Sequence, residues 1–297
     1  MLADLSRKLA PVFREVAAHP GEFDHVPSNG NVVLQAVEVI FPGGTDTLTL
    51  EDANRAIQFL PSPRARLTLP PNHPGLYLIK VMRLLSAIGL SAIGGTWVDF
   101  LALNPVVLSD RNGNRSSTPS FHFGYWSHSS PVPYITSDTR RHSPAICRAV
   151  HRFLKAIAKY LAPPILMLLR FYAPHVYERQ IRAYERVKAL LGRDEWFVDF
   201  LGAFFTIAAK EGSSEIPHVD FNDDANSITW AVPIGEFTGG EFCAHQLGSR
   251  VPVLAGQGIG CNTRNLVHCG TPADGHRLIL TLFCDKTLMS GADQGRF

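Results

Sequence analysis

From Trp196 to Phe283 the chain is a succession of short apolar runs, among them SITWAVPI, GEFCAHQL, VPVL and RLILTLFC, separated by Gly, Asn, Asp and Pro. Runs of this length at this spacing predict an all-β barrel or sandwich. Upstream the period lengthens. Pro144 to Tyr160 and His175 to Leu191 predict helices; the first sets Ile146, Val150, Phe153, Leu154 and Ile157 on one side and Arg148, Arg152, Lys155 and Lys159 on the other. Residues 2–18 carry a helical stripe, 32–41 and 47–50 read as strands flanking Pro42-Gly43-Gly44, and 51–60 reads as a short helix. The pattern further predicts a helix over Leu76–Leu90 and a strand over Thr96–Leu103. Asn104 to Pro144 is rich in Ser, Pro, Gly and Asn, with Phe121, Phe123, Tyr125 and Trp126 embedded, and predicts a long loop or lid.

The 297 residues suffice for a large buried core, and 45% hydrophobic with 18% charged residues excludes wholesale disorder. Five cysteines without CxxC spacing point to a reduced compartment, hence an intracellular protein, cytoplasmic or nuclear. Charges near the start predict no secretion signal, and the most apolar stretch, Leu161 to Leu169, is too short to cross a bilayer and contains Pro163-Pro164. The net charge of +2 hides an asymmetry: residues 140–188 hold eleven Lys/Arg against Glu178 and Glu185. Such a block suits a polyanion, and nucleic acid is the expected partner; the alternative is the solvated faces of two helices.

The chemistry-bearing residues lie in the β-rich part. His218 and Asp220 are two apart, so on a strand both project to one face. With His268 from a second strand they form a set of two imidazoles and one carboxylate, which leaves open positions on a metal. Arg277 follows His268, and strands around 272–275 are expected to pair as a hairpin that sets its guanidinium beside the metal. HxD alone is common in a chain with twelve histidines; the ordered series is more specific. It runs His218-x-Asp220-x-x-Asp223, Trp230, Pro233-x-Gly235-x-Phe237-x-Gly239-Gly240, Leu247-Gly248, His268 and Gly275-x-Arg277.

That series, over roughly Phe197 to Lys286, resembles the core of Fe(II)/2-oxoglutarate-dependent oxygenases and is most similar to fungal TET/JBP-like members. The resemblance implies an α+β fold whose double-stranded β-helix (jelly-roll or cupin-like) core is flanked by helices. It implies Fe(II) as cofactor on His218, Asp220 and His268, with 2-oxoglutarate and O2 as cosubstrates and Arg277 on the distal carboxylate. Many relatives have Ser two residues after this Arg; here that place is Ile279, and Thr281 or Asn262 is the expected replacement donor. The implied activity is hydroxylation of a C–H bond with release of succinate and CO2. A methylated nucleobase of the 5-methylcytosine type in DNA is the first substrate; a free amino acid or secondary metabolite, or a cupin-type metal enzyme without 2-oxoglutarate, are the alternatives. The expected organisation is one catalytic domain, with 1–103 supporting the core, 104–144 a loop or lid, 145–192 basic helices and 193–290 the β-helix.

Overall fold

A computed structural model describes residues 35–40, 46–47, 78–108, 118–128, 130–195 and 198–297. The expected helices over 2–18 and 51–60 lie outside the described residues.

Among the described residues, twelve strands build two facing sheets. The larger has the order β1 (Gln35–Ile40), β3 (Leu78–Arg83), β10 (Gly258–Cys261), β7 (Thr229–Gly239), β12 (Ala273–Phe283), β6 (Thr206–Glu211), β4 (Phe121–Trp126) and β5 (Tyr134–Ile135). The smaller has the order β11 (His268–Gly270), β8 (Phe242–Ala244), β9 (Ser249–Val251) and β2 (Asp46–Thr47). This is the antiparallel double-stranded β-helix. All named ladders are antiparallel, and β12 is the centre of the larger sheet, pairing β7 over Ala273–Leu282 and β6 over Leu278–Phe283.

Strand alternation divides the residues of the large sheet. Leu278, Leu280 and Leu282 of β12, with Trp230, Val232 and Ile234 of β7, join an outer core with the helices, so Trp230 is core as its alternation requires. Into it pack Ile93, Trp97 and Phe100 of α1 (Ala87–Leu101) and Val150, Phe153, Leu154 and Ile157 of α3 (Pro144–Tyr160). Each large side chain buried there stabilises by about 1.5–3 kcal/mol. The other face meets the small sheet through Leu78, Ile259 and Cys261 against Ala244 and Val251. The other described helices are α2 (Ser137–Arg140), α4 (Ala162–Tyr172), α5 (Pro174–Glu195) and α6 (Lys286–Asp293), with a 3-10 turn at His245–Leu247.

The helix of residues 144–160 stands where its periodicity sets it; Ser143 caps it and Pro144 opens it. Elsewhere the pattern misled. Of the expected helix over Leu76–Leu90, Leu78–Arg83 is instead strand β3 while Ala87–Leu90 does open α1, and the expected strand over Thr96–Leu103 lies in α1 as far as Leu101. A short continuous apolar run does not distinguish the two conformations, and Leu78–Arg83 pairs with both β1 and β10. Gly94-Gly95 lies inside α1, whose start is fixed by Ser86 accepting from Gly89 N at 3.2 Å. Gly94 faces the sheet, where a Cβ would meet Ile234 at 3.5 Å, an ordinary van der Waals contact.

Within the expected loop 104–144, residues 121–126 are a large-sheet strand, buried along its whole length. Phe121, Phe123 and Tyr125 face the outer core and His122 and Trp126 the cavity, an alternation of only six residues set inside a stretch rich in Ser, Pro, Gly and Asn. The hairpin expected between His268 and Arg277 does not form either. β11 pairs with β8 in the small sheet, while β12 runs between β6 and β7 in the large one. The histidine and the arginine therefore approach the site from different sheets.

Candidate metal centre

His218 and His268 form an isolated antiparallel bridge, exchanging His218 N–His268 O at 3.0 Å and His268 N–His218 O at 2.9 Å. Their ring centroids are 4.5 Å apart. The Nδ1 of His218 is 2.7 Å from Ile216 O, and that of His268 is 2.9 Å from Leu266 O. A carbonyl only accepts, so each Nδ1 carries the hydrogen, and the neutral ring presents the Nε2 lone pair. Both Nε2 atoms face Asp220, at 3.9 Å from Oδ1 for His218 and 3.5 Å from Oδ2 for His268. One ligand atom from each of the three residues lies within 4.8 Å of the others. Two neutral imidazoles and one carboxylate are the donor set suited to a divalent transition metal with open positions.

The turn after this triplet is held rigidly. Asp223 Oδ2 accepts from Thr229 Oγ1 and Thr263 Oγ1, each at 2.7 Å, tying it to β7 and the segment before β11. Asp224 is gripped by Arg179 of α5, which reaches its two oxygens at 2.5 and 3.0 Å and also binds Asp293. These carboxylates raise the Arg179 pKa further above its ordinary value, against the opposing effect of burial. One member of the basic block is thereby absorbed in structure.

Arg277 is 6% exposed. It donates from Nη1 to Gly212 O (2.7 Å) and Ser213 Oγ (3.2 Å), and from Nη2 to Gly240 O (3.1 Å), with its guanidinium 5.2 Å from the Phe237 ring centroid. Its Nε has no hydrogen-bond partner, and no carboxylate among the described residues pairs with it. Burial lowers its pKa to about 10, which leaves it charged at neutral pH. A buried cation satisfied only by neutral oxygens suits an anionic ligand.

His218, Asp220, His268 and Arg277 all line one cavity of about 170 Å3. Thr281 lines it as well, two residues beyond Ile279 on the same face of β12. Asn262 does not: its amide nitrogen donates to Ala225 O (2.5 Å) and its oxygen accepts from Asn265 N (3.1 Å), which makes it a turn anchor and removes it as a donor to the cavity. Sequence reasoning missed Lys210 of β6 and the aromatic wall of His122, Trp126 and His128, all of which line the cavity. Trp126 stacks obliquely between the two imidazoles, 5.5 Å from each ring centroid. The embedded aromatics of 121–126 were the available signal for the wall; a lone lysine in an apolar run offers none.

The residues therefore fit both implied groups, a divalent iron at the His–Asp–His cluster and a carboxylate at Arg277. Fold and donor set together define a double-stranded β-helix with a candidate two-histidine, one-carboxylate centre. No family model and no curated protein matches the chain. Solved structures do match, and NgTET1 shows the same fold. NgTET1 in complex with 5mC DNA shares the fold, with a TM-score of 0.51 and 16% identity over 74% of this chain and 76% of that one. OsALKBH1 matches with a TM-score of 0.36 and 12% identity, covering 69% of this chain and 97% of that chain. The viral collagen prolyl hydroxylase from Paramecium bursaria Chlorella virus-1, in its 2OG complex, matches with 0.33 and 12%, covering 69% and 94%.

Proposed function

We propose that the chain is an Fe(II)- and 2-oxoglutarate-dependent oxygenase that hydroxylates a substrate C–H bond. The observation that carries this reading is the meeting, in one cavity, of the His218–Asp220–His268 cluster and a buried Arg277 without a carboxylate partner. A cupin-type enzyme without 2-oxoglutarate would need another anionic ligand to use this cation.

His218, Asp220 and His268 would hold iron through the two Nε2 atoms and a carboxylate oxygen, the ring tautomers being set by Ile216 O and Leu266 O. When bound, the metal supplies O2 activation coupled to decarboxylation of the cosubstrate, so that R–H, O2 and 2-oxoglutarate give R–OH, succinate and CO2. Arg277 would orient the cosubstrate through its distal carboxylate, and the apolar walls Phe242, Val253 and Ile259 limit water around the reacting atoms.

A methylated nucleobase is the substrate we assign first. The likeness in fold to NgTET1, solved with 5mC DNA, supports it, as does the aromatic wall against which a flipped base can stack. One observation favours a small free metabolite instead. Arg148, Arg152, Lys155 and Lys159 form an exposed stripe on α3, whose opposite side packs on the outer face of the large sheet, away from the cavity. DNA held by that stripe would not by the same contacts reach the metal.

Anaerobic titration with Fe(II) and then 2-oxoglutarate tests the reading through the weak visible charge-transfer band of the chelate. A band in the native protein, absent in His218→Ala and Asp220→Ala, is the expected result. Iron binding without a band would overturn the cosubstrate, and no iron binding would overturn the whole reading. Succinate release with methylated DNA and with the free methylated nucleoside then separates the two substrates.

A further inference from the structure

Lys210 is 7% exposed on β6, and its side chain lines the cavity. An ammonium buried to this degree beside an open cavity suits an anionic ligand. It donates from Nζ to Ser213 O at 2.8 Å and to Ser214 Oγ at 3.4 Å. Arg277 reaches the same short segment, at Gly212 O and Ser213 Oγ. Two buried cations thus converge on the 212–214 segment beside one cavity, where an anion can meet both.

The register supplies the second half of the argument. Lys210 stands directly opposite Ile279 across the β6–β12 ladder. Ile279 occupies the place where the resembled family often has a serine hydroxyl, and it has no donor. Thr281 stands one row further along, opposite Ala208, on the side of Ile279 away from Arg277. On the β7 side Ile279 faces Pro233, which has no donor, so the donor nearest in register to the missing hydroxyl is the lysine of β6.

We propose that Lys210 is a cosubstrate-binding residue that holds the distal carboxylate of 2-oxoglutarate together with Arg277, in place of a donor at 279. This rests on the function proposed above and specifies how that site binds its dianion.

The test compares two 2-oxo acids on the Fe(II)-loaded protein under anaerobic conditions: 2-oxoglutarate, and 2-oxobutyrate, which chelates metal identically but has no distal carboxylate. Dissociation constants come from the charge-transfer band. In Lys210→Met the constant for 2-oxoglutarate should rise about 10–100-fold, the loss of one charge-assisted bond, while that for 2-oxobutyrate stays within about twofold. Adding Ile279→Ser to Lys210→Met should recover part of the 2-oxoglutarate affinity. Lys210→Gln, which removes the charge and keeps a polar end, carries the same expectation should Met perturb folding, as judged by the melting temperature. Unchanged 2-oxoglutarate affinity in these variants, or equal loss of both acids, would overturn the assignment. A native protein that binds Fe(II) but forms no chelate band would instead overturn the proposed function.

Discussion

A Cβ placed on Gly240 would lie 2.7 Å from Nε and 3.0 Å from Cζ of Arg277. The glycine thus gives the guanidinium its room, and its φ of +68° lies in the left-handed region that glycine adopts without strain. Gly240→Ala is expected to lower stability by about 1–3 kcal/mol, through backbone strain and displacement of Arg277. It should weaken 2-oxoglutarate binding and leave Fe(II) affinity unchanged. Urea unfolding and the chelate titration measure the two effects; equal loss of iron would mean general disruption.

Arg277→Leu separates charge from packing. The dissociation constant for 2-oxoglutarate should rise by at least about 100-fold, since a buried charged clamp is removed. The substitution also leaves a signature in alkaline unfolding. Burial holds the folded pKa of Arg277 near 10, below that of the unfolded chain, so above pH 10 the unfolded state binds more protons and stability rises with pH. Below pH 10 the charged group is a constant cost. The difference in unfolding free energy, native minus Arg277→Leu, should therefore increase as pH passes upward through about 10. A flat difference there would mean that the guanidinium is not desolvated as the structure has it.

His218→Ala, Asp220→Ala and His268→Ala should each remove binding of a divalent metal while costing the metal-free protein little, because the bridge between the two histidines is made by backbone groups. With Co(II) at about 100 times its dissociation constant the native protein should gain about 2.7 kcal/mol, and the variants nothing. Melting curves with and without Co(II) decide it.

Arg179→Ala leaves Asp224, which is 8% exposed, without its bidentate partner. An unpaired buried carboxylate is costly, and the expected destabilisation is about 3–5 kcal/mol. Because the adjacent Asp223 N donates to Asp220 O at 3.0 Å, the loss should reach the metal turn and lower Co(II) affinity. Unfolding in urea and a Co(II) titration test both parts; full stability would show that the pair contributes nothing net.

Reversal of charge at Arg148, Arg152 and Lys155 should weaken DNA binding and flatten its salt dependence, the slope falling by about 0.9 for each phosphate no longer neutralised. Turnover of a free nucleoside or other small substrate should be unchanged, because the stripe lies behind the helix layer. A fall in small-substrate turnover would place α3 nearer the site than its packing allows.

How much of this was legible in the sequence differs from one element to the next. The helix over 144–160 was readable because its apolar residues recur at helical spacing and Ser143-Pro144 marks its start. His218, Asp220 and His268 were readable as a candidate set because residue type and a spacing of two are local properties. Residues 78–83 were misread because Leu-Ile-Lys-Val-Met-Arg suits either a helix or a strand, and only partners β1 and β10 choose between them.

By itself, the sequence determined which donors exist, in what order, and that a β-helix could gather them. Tertiary structure decided the rest, because it depends on which strands pair across long separations. Asn262, named from its place beside the His268 segment, turned out to anchor a turn, since the curvature there aims its amide at Ala225 O. Arg277 reaches the cavity from the large sheet rather than along a hairpin with His268. Lys210 joins it because β6 and β12 pair in a register that brings residue 210 opposite residue 279. No periodicity encodes that register. It follows from burying Leu278, Leu280 and Leu282 against the helices, which leaves the alternate side chains, charged or not, to face the cavity.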